Sequence, residues 1–365
     1  MKIVVFGLTV SSSWGNGHAT LWRGLIRSLA RRGCSVSFFE RDVAWYADHR
    51  DQTGIEGGEL VFYPDWASVR AAARRAVRAA DAVIVTSYCP DAVEASELIE
   101  EEARGTTVFY DMDSGVTLAR LAADEAVPYL PPEGLGGFDL VLSYTGGKAL
   151  TQLSERLGAR RVAPLYGHVD PDVHRPAPPA ELFRCDLSYI GTYAADRQAA
   201  LEALFLEPAR LSPERRFVLA GSGYPEAFPW SGNTWFVRHL EPAQHAAFFS
   251  ASRLTLNVTR RDMAAMGWAP SGRLFEATAC GTVVLSDRFE GLEDFFEPGV
   301  EILTASTTAE ALAAMALGDA ELTRIAQAGR ARTLEEHTSD HRAGELLRLL
   351  EGPAAEARPT IAVEA

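Results

Sequence analysis

At 365 residues the chain exceeds what one ordinary hydrophobic core organises and suits two α/β domains of common size. Hydrophobic residues make up 47% and charged residues 23%, ordinary globular values that exclude a fibrous or wholly disordered chain. A formal net charge of -14 argues against a protein that coats nucleic acid, which needs clustered Lys and Arg to displace counterions, so any phosphate site must be local.

In chain order, the run Lys-Ile-Val-Val-Phe-Gly-Leu at 2–8 predicts a strand, a Ser/Gly-rich loop follows, and 20–32 has helical periodicity stopped by Gly33. A strand at 34–40 completes a βαβ unit with the expected right-handed crossover. The alternation continues with a helix at 66–80, a strand at 82–86, a helix at 92–102 and a strand at 107–110 running into Asp111. A strand at 140–143, a helix at 148–157 and a strand at 161–165 come next. Between 168 and 179 the prolines of Pro-Asp-Val-His-Arg-Pro-Ala-Pro-Pro break the pattern, because each removes an amide donor and biases its predecessor away from helix.

That break predicts two Rossmann-like domains, 1–170 and 171–350. The second half repeats the first: strands at 187–190, 217–220, 235–237, 254–257, 283–286 and 301–303, with helices at 197–206, 243–250 and 272–280. Helices at 309–317, 319–332 and 339–350 close it, and the Pro/Ala/Glu-rich residues 351–365 are expected to be a disordered tail. No apolar run reaches the ~20 residues of a bilayer span, so the sequence reads as a cytoplasmic protein. Cys34, Cys89, Cys185 and Cys280 lie far apart without CxxC pairing, which speaks for reduced buried thiols rather than zinc or disulfides.

In parallel α/β domains ligands sit beyond the carboxyl ends of the strands, so the loops there carry the candidates. The first is Ser11-Ser12-Ser13-Trp14-Gly15-Asn16-Gly17-His18, where glycines admit a substrate to the backbone and a helix start offers amides. It lacks the GxGxxG spacing of a dinucleotide site. His18, an imidazole at a positive helix end, is a candidate general base, with a helix cap or packing residue as the plainer alternative. The second loop, Ile190-Gly191-Thr192-Tyr193-Ala194-Ala195-Asp196-Arg197, offers Gly191 for close approach of a diphosphate and Arg197 for charge. The third follows Asn257, carries Arg260 and Arg261, and opens a helix at Ser271-Gly272-Arg273 with Glu276 one turn on. An anion at that helix start and a ribose diol on Glu276 would suit a nucleotide diphosphate, whereas a capped surface helix would bind neither.

That third stretch resembles the donor signature of GT-B glycosyltransferases, and most of the chain is similar to their CgeB-like spore-maturation branch, a bacterial family. The resemblance runs through Trp14-Gly15-Asn16-Gly17-His18, Tyr110-Asp111-Met112-Asp113, Leu142-Ser143-Tyr144-Thr145-Gly146-Gly147 and Val169-Asp170-Pro171. It continues through Tyr189-Ile190-Gly191-Thr192-Tyr193, Leu256-Asn257-Val258-Thr259-Arg260, Arg273-Leu274-Phe275-Glu276 and Glu290-Gly291-Leu292-Glu293.

The resemblance implies two Rossmann-like domains with parallel sheets facing a cleft. The first half would hold an acceptor through Trp14, Gly15, Asn16, Gly17 and Asp111. The second would hold a nucleotide-sugar through Gly191, Thr192, Tyr193, Arg197, His239, Leu240, Asn257, Arg260, Ser271, Gly272, Arg273 and Glu276, with His239 and Leu240 at the base and Glu276 on the ribose. His18 and Asp113 would be catalytic. UDP is the favoured nucleotide, with dTDP or GDP as alternatives.

Retaining members of the family carry a glutamate where this chain has Trp268, and a basic pair where it has Thr192 and Gln198; Arg260 and Arg273 would supply the missing charge. Asp111-Met112-Asp113 has the spacing of a metal-binding Asp-x-Asp, but it lies in the half without donor motifs, and a hard cation needs more oxygen ligands. The expectation is therefore metal-independent transfer with no cofactor. The acceptor is open, as is a homodimer. A nucleotide-sugar epimerase and a non-catalytic nucleotide-sugar-binding protein are the alternatives.

Overall fold

The computed structural model describes residues 1–352 of the chain. The greater part of the expected disordered tail therefore lies outside the described residues. Seven parallel strands form the first sheet: β1 (Lys2–Gly7), β2 (Ser35–Arg41), β3 (Gly58–Tyr63), β4 (Ala82–Thr86), β5 (Thr106–Asp111), β6 (Leu140–Ser143) and β7 (Val162–Pro164), in spatial order β3-β2-β1-β4-β5-β6-β7. Six more form the second: β8 (Cys185–Ile190), β9 (Phe217–Gly221), β10 (Thr234–Arg238), β11 (Ser252–Asn257), β12 (Val283–Ser286) and β13 (Leu303–Thr304), in order β10-β9-β8-β11-β12-β13.

Central strands read as unbroken apolar runs because helices cover both faces, and β1, β4 and β9 are buried along nearly their whole length. The strand missed by periodicity, β3, lies at a sheet edge where Glu59 and Phe62 face solvent, which dilutes the apolar signal. Three α-helices were also not foreseen, the short Ala44–Ala47 after β2, Ser114–Ala122 after β5 and the short Arg261–Ala264 after β11. The helix expected at 197–206 instead begins with a 3-10 turn, passes through a single π turn at Glu202–Leu206 and runs on to Leu211.

The chain crosses between the domains twice. After β7 it enters the second domain through the proline-rich segment, and after the helix Asp319–Glu336 it returns, so that the helix Ser339–Leu350 packs Ala343, Leu346 and Leu350 into the core of the first sheet beside Leu25 and Leu29. The sequence reading had assigned that helix to the second domain. The two crossings touch: Val169 N–H donates to His337 O at 3.0 Å and Ser339 N–H to Val169 O at 2.7 Å. Glycine at 24 makes room for this close approach, since a Cβ would lie 2.4 Å from Ser339 Oγ and 3.2 Å from Asp170 Cβ. No helix among the described residues is long and apolar enough to cross a membrane.

Candidate functional site

In each sheet the strand order reverses at the centre, between β1 and β4 and between β8 and β11. Loops leaving adjacent strands in opposite directions open a crevice there. The two crevices face each other across a cleft of about 570 Å³ whose walls come from both domains. Gly15, at φ +63, brings the loop after β1 close to the second domain; a Cβ on it would lie 3.7 Å from Ser222 Oγ and 3.8 Å from Thr192 Oγ1.

The second-domain wall is cationic. Arg273, one residue into the helix Gly272–Ala279, donates from Nε to Ile190 O at 2.6 Å and from Nη1 to Asn257 Oδ1 at 2.8 Å, and stacks over the Tyr189 ring at 4.9 Å. Its Nη2 fills the space a side chain at 191 would need: a Cβ on Gly191 would sit 2.9 Å away. Arg197 Nη1 donates to Thr192 O at 3.2 Å. Among the described residues neither Arg197 nor Arg273 has a carboxylate within ion-pairing distance; only Arg260 does, on Asp196 at 3.2 Å. Burial lowers the Arg273 pKa from its ordinary value, and the nearby charge of Arg197 adds to that, so an anion at this spot would be favoured.

Ser271 does not cap its helix. Its hydroxyl donates to Asn257 Oδ1 at 2.6 Å instead, and the helix start, without a side-chain cap, opens on the cleft with Gly272. Glu276 lies one turn on, accepts from Thr20 Oγ1 of the first domain at 3.4 Å and approaches His174 Nε2 at 3.9 Å. His239 and Leu240 line the cleft after β10. His239, at φ +52, commits its N–H to Gly221 O at 2.9 Å, and Leu240 O holds His245 Nε2 at 3.2 Å.

The first-domain wall is neutral to acidic. Buried Glu40, at the end of β2, accepts from Thr9 Oγ1 at 2.8 Å, Val10 N–H at 2.8 Å and Ser11 N–H at 3.0 Å, while the Arg23–Asp51 pair at 2.8 Å fixes Ser13 N–H on Asp51 at 3.0 Å. These contacts set the loop that presents Gly15, Asn16, Gly17 and His18. Gly17 rather than a serine precedes the helix His18–Arg31, and it supplies no side-chain cap. Burial lowers the His18 pKa, partly offset by the Asp113 charge, so the imidazole is neutral at pH 7. Burial and the nearby Asp113 charge raise the Tyr88 pKa from its ordinary value. Tyr88 holds a left-handed backbone at φ 65, an uncommon conformation that side-chain residues adopt at a cost of ~1 kcal/mol or more and that clusters at functional sites.

Three of the sequence candidates do not line the cleft. Trp14 is sandwiched between His49 and His239 at ring distances of 4.2 and 4.0 Å, and so bridges the domains at the cleft rim. Asp111 is fully buried; its Oδ1 accepts the Asp113 N–H at 3.1 Å and burial pushes its pKa up to about 6, so it acts as an internal brace for the turn. Asn257 is also fully buried and touches the cleft through Ser271 and Arg273. Trp268, at the position of the retaining-family glutamate, turns its indole N–H to Asp294 and packs on Gly291, outside the cleft. Sequence reasoning passed over Tyr46, Tyr88, Tyr144 and His245, all of which line the cleft. Tyr88 and Tyr144 were findable, for they lie in the loops that follow β4 and β6.

Comparison with known proteins agrees with this geometry. Residues 197–348 match a family model described as glycosyl transferase-like. No curated protein sequence matches the chain. Among solved structures, sucrose-phosphate synthase from Thermosynechococcus elongatus superposes with a TM-score of 0.65 at 14% identity, covering 96% of this chain and 98% of that one. Anabaena Alr3699/HepE in complex with UDP and glucose gives 0.65 at 16% identity over 96% and 99% of the two chains. An alpha-glucosyltransferase in complex with UDP gives 0.70 at 11% identity over 96% and 100%. The chain therefore has the GT-B fold, and its second half carries glycosyltransferase-like sequence.

Proposed function

We propose that the protein is a glycosyltransferase that takes a sugar from a UDP-sugar held by its second domain and passes it to an acceptor held against the first. One observation carries the reading: the guanidiniums of Arg197 and Arg273, without carboxylate partners, meet the uncapped start of the helix Gly272–Ala279 inside the cleft, with Glu276 beside them. A diphosphate satisfies those charges, and Glu276 accepts from a ribose diol. UDP is favoured because similar folds hold UDP and glucose.

The three arginines supply the charge that a leaving diphosphate develops, so transfer needs no metal. Asp111 and Asp113 support this, because only Asp113 faces the cleft while Asp111 is spent inside the turn. His18, neutral and beside Asp113, takes the proton of the acceptor hydroxyl, and Asp113 stabilises the imidazolium that forms. Gly15, Asn16 and Gly17 leave the backbone open to that acceptor.

Incubation with a panel of nucleotide-sugars, with and without candidate acceptor hydroxyl compounds, and with nucleotide release as the readout, tests the reading. Release that depends on acceptor is the expected result. Release without any acceptor points to hydrolysis or epimerase-type chemistry, and tight binding with no release in any combination points to a binding protein; either one overturns transfer.

A further inference from the structure

Directly behind the proposed ribose position, three side chains from separate parts of the chain converge. His174 comes from the proline-rich crossing, His245 from the helix Pro242–Ala251 and Glu276 from the helix Gly272–Ala279. One ligand atom of each lies within 4.8 Å of the others, and His174 Nε2 is 3.9 Å from Glu276 Oε1. His174 is 3% exposed, yet neither ring nitrogen has a hydrogen-bond partner among the described residues. Buried polar atoms left so are uncommon and call for a ligand.

His245 is oriented as a metal ligand is. Its Nε2 donates to Leu240 O at 3.2 Å, which fixes the tautomer and leaves Nδ1 a bare lone pair, and Nδ1 is likewise buried without a partner. A histidine whose far nitrogen is tied to a backbone carbonyl is the usual outer support of a metal-binding imidazole.

We propose that His174, His245 and Glu276 bind one late first-row divalent ion of the zinc type, and that this ion and the nucleotide exclude each other. Two neutral imidazoles and one carboxylate suit zinc, cobalt or nickel and are poor for magnesium or calcium, which take oxygen ligands. Three protein ligands leave a coordination position open, and two of them, Glu276 and His245, line the cleft. The exclusion rests on the donor reading above, because Glu276 is the carboxylate assigned to the ribose and cannot serve both. Bound to the metal, the crossing segment would also be tied to two helices of the second domain.

Cobalt(II) is the probe, titrated into the full-length, chelator-treated protein while its visible ligand-field bands are followed, with zinc as competitor. One cobalt per chain is expected, displaced by zinc. Affinity should fall on the order of 100-fold in His174→Ala and in His245→Ala, since loss of even an outer support costs 10- to 100-fold. Saturating UDP should weaken cobalt binding on the order of tenfold or more. Far-ultraviolet circular dichroism and the thermal melt of the variants without metal report whether they are folded, and His174→Gln serves where the alanine variant is not. Absence of ligand-field bands, or cobalt affinity unchanged in both folded variants, overturns the site. Cobalt bound through these residues but unmoved by UDP overturns the exclusion. A protein that binds cobalt as described but never binds UDP or any other nucleotide loses the donor reading and keeps the metal site.

Discussion

The two halves share one plan and differ in what they place at its centre. Each is a parallel sheet whose order reverses beside its first strand, with a ligand loop after that strand and another after the strand across the switch point. The loops of the second half carry Arg197, Arg260 and Arg273 and an uncapped helix start. Those of the first carry glycines, a neutral histidine and Tyr88, with Asp113 of the next loop, after β5, beside them. The same scaffold thus presents a cationic wall on one side and a neutral to acidic wall on the other, so the contrast lies in a few residues after each strand.

The sharpest way to break that contrast is at His18. His18→Ala is expected to lower turnover by ~100-fold or more while UDP affinity stays within about twofold, read by steady-state kinetics beside calorimetric titration. Burial already lowers the wild-type His18 pKa, so the base stays deprotonated on going down through its ordinary range. The acid limb of the rate profile should therefore fall below pH 6.5, and a limb centred above 7 would count against His18 as the base.

Across the cleft, Glu276→Ala should weaken UDP binding by about 1–3 kcal/mol, the scale of a charge-assisted hydrogen bond lost. Unchanged UDP affinity would remove the ribose assignment.

The smallest effect on turnover is expected at Asp111, which braces the turn from inside. Its folded pKa is raised from 3.8 to about 6, so the folded state holds the proton more tightly than the unfolded one. That contribution is present below about pH 4 and lost as pH rises through 6, at most about 3 kcal/mol at 1.36 kcal/mol per pH unit. Asp111→Asn should leave the acceptor KM within threefold and flatten the decline of stability between pH 4 and 6, as thermal melts at several pH values would show. A large rise in acceptor KM would return Asp111 to the binding wall.

These expectations also mark how far the amino-acid sequence alone can be read. The alternation and both halves were legible because doubly covered parallel strands leave continuous apolar runs, as in 82–86 and 283–286, which match the observed β4 and β12. The rule that ligands gather after strands located His18, Gly191 and Arg273. It erred at Asp111 and Asn257, because a residue at a strand end can point into the turn as readily as out of it.

His174 and the destination of 339–350 lay beyond that rule. An apolar stripe says that a helix is covered without saying by which sheet, and a single histidine in a proline-rich segment carries no local pattern that announces its partners.

The paired crossings at Val169 and Ser339 bear on how the molecule can be taken apart. A protease nick in either one leaves the two lobes linked through the other, so limited digestion should cut the polypeptide without releasing a free lobe. Nor can the first lobe be excised as one uninterrupted stretch: a fragment ending near 170 would lack Ala343, Leu346 and Leu350 and would expose the apolar flank around Leu25 and Leu29. The N-terminal unit is discontinuous along the chain, completed only by residues 339–350, which come after the whole second lobe.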